Sequence, residues 1–238
     1  MIYRIEREEQ LSDLPASGVE ANKIRALFLA YGLKFDFCRF YRQENLFLSA
    51  LDGSIVICGE HTDLDELSDF LVMNGYTDIF CSEKLGILLS DALKADCKYI
   101  TLMRYSGEEY SCPLNSEPSL SDVYKILCDG FDIPFEPWYL DMSHRIRHGI
   151  TKCYVLDGCS TVTVQHDLKG EALISQVATA RSERGKGTAS GLIRSVCTYL
   201  LPSKAFVLCE DELIPFYEKV GFVAVDRKCV IVPRVCRE

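Results

Sequence analysis

The sequence predicts an α/β protein with mixed sheets arranged as two lobes, and three observations carry that prediction. Apolar runs of strand length alternate with amphipathic helical stretches along the 238 residues. The order hairpin, helix, strand, helix, strand occurs twice. A stretch rich in turn formers, with Gly107, Pro113, Asn115, Ser116 and Pro118, lies between the two occurrences. The lobes are therefore read as residues 1–110 and 111–238. A hydrophobic content of 48% is enough to fill a core.

In the first lobe, 45–51 and 54–58 read as strands joined at Asp52-Gly53, a dipeptide suited to a tight hairpin turn. A helix over 67–74, a strand ending in Ile79-Phe80-Cys81-Ser82-Glu83, a helix over 84–95 and a strand over 98–105 follow. In the second lobe, Ser119 or Ser121 caps a helix through Val123, Ile126 and Leu127, and a polar helix covers 140–147. A hairpin then runs through 152–156 and 160–165 with Asp157-Gly158 at its turn. Its Leu156-Asp157-Gly158 matches Leu51-Asp52-Gly53, although chance likeness between D-G hairpins is the competing reading.

An apolar strand over 171–179, a helix over 188–201, the strand Phe206-Val207-Leu208-Cys209-Glu210, a helix over 211–219 and a strand over 222–232 complete the lobe. The helix from 188 is the best supported. Ala189, Leu192, Ile193, Val196, Cys197 and Leu200 recur at helical spacing, and Pro202 ends it. Aligned on the two turns the copies are 105 residues apart, and aligned on Cys81 and Cys209 they are 128 apart. The second copy would then hold 23 additional residues, over roughly 168–190.

A net charge of −9 argues against a nucleic-acid surface and suits a cationic small molecule or basic peptide. The 12 cysteines are scattered without a C-x-x-C pair, which gives zinc no support, and most read as buried, reduced hydrophobes. Met1-Ile2-Tyr3 opens no secretory leader, and no apolar run reaches the ~20 residues of a membrane span. The expectation is a cytoplasmic protein with no metal, no membrane and no nucleic-acid partner.

Function is concentrated in Arg184-Gly185-Lys186-Gly187-Thr188-Ala189-Ser190-Gly191-Leu192-Ile193. A basic glycine loop between a strand and a helix brings amides and the positive end of a helix dipole to one place, which suits phosphate. A Walker A loop requires G-x-x-x-x-G-K-[ST], and Gly185-Lys186-Gly187-Thr188 lacks that order. A dinucleotide fingerprint fails too, because Ser190 stands where the third glycine belongs.

The remaining pattern, Arg184-x-x-Gly187-x-Ala189, resembles the Q/R-x-x-G-x-G/A signature of the GCN5-related N-acetyltransferases. Phe216-Tyr217-Glu218-Lys219-Val220-Gly221-Phe222 is similar to that family's late F/L-Y-E-K-x-G-F segment, about 30 residues downstream as in the family. Arg181-Ser182-Glu183 replaces the usual Pro-Glu-Tyr turn. The likeness covers roughly 119–235, and the first lobe looks like a degenerate copy without the phosphate loop.

The resemblance implies the family's acyl-CoA acyltransferase fold and an N-acetyltransferase that uses acetyl-CoA without a metal. The pyrophosphate would lie on the amides of Arg184, Gly185, Lys186, Gly187, Thr188 and Ala189, with charge from Arg184 and Lys186. Thr188 and Ser190 would add hydroxyl donors or act as helix caps. Strand residues Val177, Ala178 and Thr179 would meet the pantetheine arm, Val177 N–H facing the thioester carbonyl. Tyr217 would protonate the leaving thiolate. The base is unassigned: Glu210 at the end of its strand, Glu171, Asp211 and His166 lie in plausible places, and a water chain with no dedicated base is the other reading. Trp138 is a candidate wall of the acceptor site or a core residue. His144 and His148, spaced i and i+4, are read as surface residues rather than metal ligands. The acceptor is an amine on a small molecule, peptide or protein, with a homodimer left open. A coenzyme-A-binding sensor or scaffold is the alternative from another class.

Overall fold

The computed structural model describes residues 1–61 and 63–234. They form two compact units, Met1–Thr101 together with the chain from Asp226 on, and Leu102–Val225. The division falls at 101/102 rather than 110/111, and Asp226–Arg234 belongs to the first unit.

The first unit runs β1 (Tyr3–Arg4), α1 (Val19–Tyr31), β2 (Cys38–Gln43), β3 (Leu46–Leu51), β4 (Ser54–Cys58), α2 (Leu64–Asn74), β5 (Asp78–Ser82), α3 (Glu83–Leu93) and the start of β6 (Asp96–Tyr105). The second holds the end of β6, then α4 (Leu120–Leu127), α5 (Phe135–Arg147), β7 (Lys152–Leu156), β8 (Ser160–Leu168), β9 (Glu171–Thr179), α6 (Thr188–Tyr199), β10 (Lys204–Cys209), α7 (Ile214–Val220) and the start of β11 (Phe222–Val232).

Both units share one strand plan. In the first, β2, β3 and β4 form an antiparallel meander, and β4 pairs in parallel with β5. Beyond β5 lies the end of β11, antiparallel from Ser82↔Lys228 to Ile79↔Ile231. In the second, β7, β8 and β9 form the meander and β9 pairs in parallel with β10. Each parallel pair is joined through a helix, α2 or α6, as a parallel connection requires.

This topology corrects the internal comparison. The counterpart of β4 is β9, so Asp52-Gly53 corresponds to Lys169-Gly170. Both turns have positive φ at each residue, 48° and 89° against 54° and 74°. That is the backbone of a two-residue hairpin turn. Asp157-Gly158 joins the preceding strand pair, with Cys159 as a third loop residue. With this alignment the turns are 117 residues apart against 128 at Cys81 and Cys209, so the excess shrinks from 23 to 11 residues. Part of what remains is strand length, β9 having nine residues against five in β4, and part is the connection to the helix, 180–187 against 59–63.

Helix starts follow local chemistry. Ser119 Oγ accepts from Asp122 N at the start of α4, and Ser82 and Asp63 do the same for α3 and α2. In the second unit α6 packs one sheet face through Leu192, Ile193 and Val196. Helices α4 and α5 cover the other through Val123, Leu127, Trp138 and Met142. In the first unit Leu67, Leu71, Leu85 and Leu89 seal α2 and α3 onto the sheet.

Cys97 and Cys229 are joined as a disulfide, which the sequence does not anticipate, whereas Cys38, Cys81, Cys153, Cys197 and Cys209 are buried thiols outside any disulfide. Among the described residues no helix is long and apolar enough to cross a membrane.

Candidate active site

The site begins where two strands part. Strands β9 and β10 pair from Glu171↔Lys204 to Ile174↔Val207, after which Ser175–Thr179 has no strand on its β10 edge among the described residues. On the other edge the register with β8 shifts between Thr161/Thr163, so Gln176 and Val177 stand opposite the single residue Val162. Gln176 has φ of 49°, the left-handed region that a residue with a Cβ seldom enters. Its Oε1 accepts hydrogen bonds from Trp138 Nε1 at 3.3 Å and Thr163 Oγ1 at 3.2 Å.

Beyond Thr179 a short 3-10 turn, Arg181–Glu183, leads into the glycine loop. Gly185 and Gly187 have φ of 80° and 83°, and a Cβ at either would meet no atom within 4 Å. Glycine is needed there for its conformation rather than for room. Gly187 caps α6 without any side-chain hydrogen bond, so the hydroxyls of Thr188 and Ser190 are not caps. The amides of Thr188, Ala189 and Ser190 precede the first intrahelical donor, Gly191 N, and have no acceptor among the described residues.

The side-chain charge expected here is committed elsewhere. Arg184 Nε donates to Thr179 O at 3.0 Å and its Nη2 to Asp129 O at 2.9 Å. Lys186 Nζ pairs with Glu183 Oε2 at 2.8 Å. The cradle is therefore built from main chain, and Arg184 shapes it.

A cleft of about 560 Å3 joins these parts. Val177, Ala178 and Thr179 form one side, the segment from Glu183 to Ser190 closes an end, and Phe131, Leu213, Phe216 and Tyr217 complete the wall. Tyr217 is 6% exposed, edge-on to Phe216 and Phe222 at 5.1 and 5.5 Å between ring centres. Burial, reinforced by the nearby Cys209 thiol, holds its phenol well above the ordinary tyrosine pKa. The hydroxyl is protonated at neutral pH and makes no hydrogen bond among the described residues.

A GCN5-related N-acetyltransferase from Kribbella flavida superimposes on 91% of this chain over 95% of its own length, with a TM-score of 0.64 at 12% identity. The fold is that of the GCN5-related N-acetyltransferases. Another such enzyme, from Sphaerobacter thermophilus, gives a TM-score of 0.58 at 14% identity, covering 90% of this chain and 87% of its own. A tandem GNAT protein from the clavulanic acid biosynthesis pathway gives 0.57 at 12% identity, with 97% of each chain covered. No family model matches the sequence. No curated protein matches it significantly either.

Within this GCN5-related fold, the residues expected on the cofactor path meet at one cleft, Lys186 excepted, while the candidate bases scatter. Glu210 is exposed just past β10 and does not line the cleft. Glu171 opens β9, and His166 pairs with Leu173, so both belong to the strand end away from the cleft. Helix α5 starts at Phe135, so Trp138 and Tyr139 lie inside it rather than before it. Trp138 is 6% exposed and packs in the core, which settles its two readings in favour of packing. No group of three metal-ligating side chains occurs among the described residues.

Four contributors escape the sequence: Gln176, Thr163, Asp129 and Phe131. Only Gly130, beside Asp129 and Phe131, gives a turn signal that could have marked the last two.

The first unit differs at the corresponding place. Strands β4 and β5 last pair at Val56↔Phe80. Just beyond, Cys58 and Cys81 feel a buried pair formed by Glu20 and Lys228 at 2.5 Å. A Cβ on Gly59 would lie 2.1 Å from Asn45 O. The Asp63 carboxylate accepts from Glu66 N at 2.9 Å, occupying the start of α2 that its counterpart α6 leaves open.

Proposed function

We propose that the chain is an N-acyltransferase of the GCN5-related family, taking an acetyl group from acetyl-CoA and passing it to a primary amine by direct attack in a ternary complex. The observation that carries this reading is the unpaired β10-side edge of β9, which opens beside Tyr217 and leads to the free amides at the start of α6. Bound acetyl-CoA would supply the acyl group activated as a thioester.

The chain's own residues fit that ligand. The amides from Gly185 to Ser190, with the positive end of the α6 dipole, suit a pyrophosphate without side-chain charge. The free edge at Val177–Thr179 offers peptide groups to an amide-bearing arm. Val177 N–H is assigned to the thioester oxygen, where a fixed donor contributes about 3 kcal/mol as negative charge develops. Tyr217 is assigned to give its proton to sulfur. Its raised pKa keeps it loaded, and the same apolar wall that raises it would also raise the basicity of a thiolate held there.

Among the residues lining the cleft only Glu183 is a carboxylate, and Lys186 holds it. The amine is therefore proposed to lose its proton through water, with Glu210 limited to a relay from the exit of β10. The net charge of −9 favours a cationic amine as acceptor.

The test combines calorimetric titration with coenzyme A and thiol release from acetyl-CoA over a panel of amines. Binding with release supports the enzyme. Binding without release across the panel favours the coenzyme A sensor, and no binding overturns both.

A further inference from the structure

We propose that Gln176 is a positioning residue that aims the Val177 amide into the cleft, with Trp138 and Thr163 as the groups that hold it there. The proposal deepens the acyltransferase reading and rests on it.

Bulged residues in the left-handed region are ordinarily glycine, and here the residue is Gln176 with φ of 49°. Such a conformation persists only where the surroundings over-determine it. Two donors from two different elements do so: Trp138 Nε1 on α5 and Thr163 Oγ1 on β8, both converging on Gln176 Oε1 at 3.3 and 3.2 Å. Neither donor can drift, since Trp138 is 6% and Thr163 1% exposed, and Tyr124 packs against the indole at 5.4 Å. Thr163 also adjoins Val162, the residue opposite the bulge.

Glycine would adopt the same φ more readily but would offer the two donors nothing. The peptide turned by this conformation is the one carrying Val177 N–H. Val177 lines the cleft and Gln176 does not, so Gln176 acts through its neighbour. Regular extended backbone at 176 would remove the bulge and turn that amide away from the unpaired edge.

Acetyl-CoA and coenzyme A differ only in the acetyl group, so the change in their affinity ratio between the unsubstituted chain and a variant reports on the contact to the thioester oxygen. Calorimetric titrations of the full chain with each ligand are expected to show acetyl-CoA bound roughly 3- to 10-fold more tightly, the scale of one hydrogen bond. Gln176→Ala should reduce that ratio to about 1 while coenzyme A affinity stays within about twofold. Thr163→Val, nearly isosteric, should lower the ratio part of the way. Gln176→Glu keeps the acceptor oxygen and should restore it.

A ratio unchanged in Gln176→Ala and Thr163→Val, or both affinities falling in parallel, would show a merely structural role and overturn the proposal. Equal affinities in the unsubstituted chain would also overturn it and leave the cofactor reading standing. Binding of neither ligand would instead overturn the acyltransferase reading itself.

Discussion

Arg184 Nε donates to the carbonyl oxygen of Thr179 at 3.0 Å, closing the glycine loop back onto the strand it leaves. The same guanidinium reaches Asp129 O at 2.9 Å, and Arg181 N donates to Asp129 Oδ2 at 3.0 Å. The arginine of the signature thus orders the loop through main-chain acceptors.

Arg184→Ala should weaken coenzyme A about 10-fold, the equivalent of ~1.4 kcal/mol, measured by titration calorimetry. Arg184→Lys should recover little of it, because an ammonium lacks the fork that serves two carbonyls at once. A loss beyond about 1,000-fold would indicate direct contact between guanidinium and phosphate instead.

Gly187→Ala should lower stability by about 1–2 kcal/mol, the penalty of a left-handed residue with a Cβ, since nothing lies within 4 Å of the added atom. Coenzyme A affinity should fall with it. Gly221→Ala should be worse, because its Cβ would also press on Gly107 Cα at 2.9 Å. Urea unfolding of the two variants, ranked against each other, checks the order.

Tyr217→Phe should cut turnover by roughly 10²- to 10⁴-fold with coenzyme A affinity unchanged. Because burial raises the phenol above its ordinary value of about 10, the proposed activity of the unsubstituted chain should not be lost through this group on approaching pH 10. The stability sign follows as well. Above about pH 10 the unfolded phenol ionises while the folded one does not, so stability declines there as pH rises. An alkaline limb near pH 9 shared by the unsubstituted chain and Tyr217→Phe would belong to another group.

Lys228 tests the interior of the first unit. Burial alone would lower its pKa, but attraction to Glu20 and hydrogen bonds to Asp226 and Glu20 outweigh that and raise it. Lys228→Met should destabilise by about 3–5 kcal/mol, because the Glu20 carboxylate stays buried without its partner. The pair Glu20→Leu with Lys228→Met should regain most of the loss. In the unsubstituted chain this contribution is complete below lysine's ordinary pKa of about 10.4 and fades as pH rises through the higher folded value. Chemical denaturation at pH 8 and pH 11 measures both effects.

How far the sequence could be read depended on the kind of signal. The start of α6 at Thr188 stands where the periodicity puts it, because a face buried at i, i+3 and i+4 leaves a local trace, and the strand 222–232 has its expected bounds. The hairpin match misled because Lys169-Gly170 makes its turn with a lysine at φ of 54°, while Asp157-Gly158 carries the familiar dipeptide in a different loop. Gln176 was invisible for a stronger reason. Its left-handed backbone is imposed by donors 38 and 13 residues away, and no pattern along the chain marks such a residue. The destinations of the Arg184 and Lys186 side chains were hidden likewise, since a charge in a loop says nothing about which acceptor it finds.

The Asp63 carboxylate at the start of α2 behaves as a tethered competitor. It is fixed by the backbone at the spot a free phosphate would need, so its local concentration exceeds what a dissolved anion reaches. The first unit is then expected to be self-blocked, and coenzyme A should saturate the chain at a stoichiometry of one even when a second fold of the same plan is present.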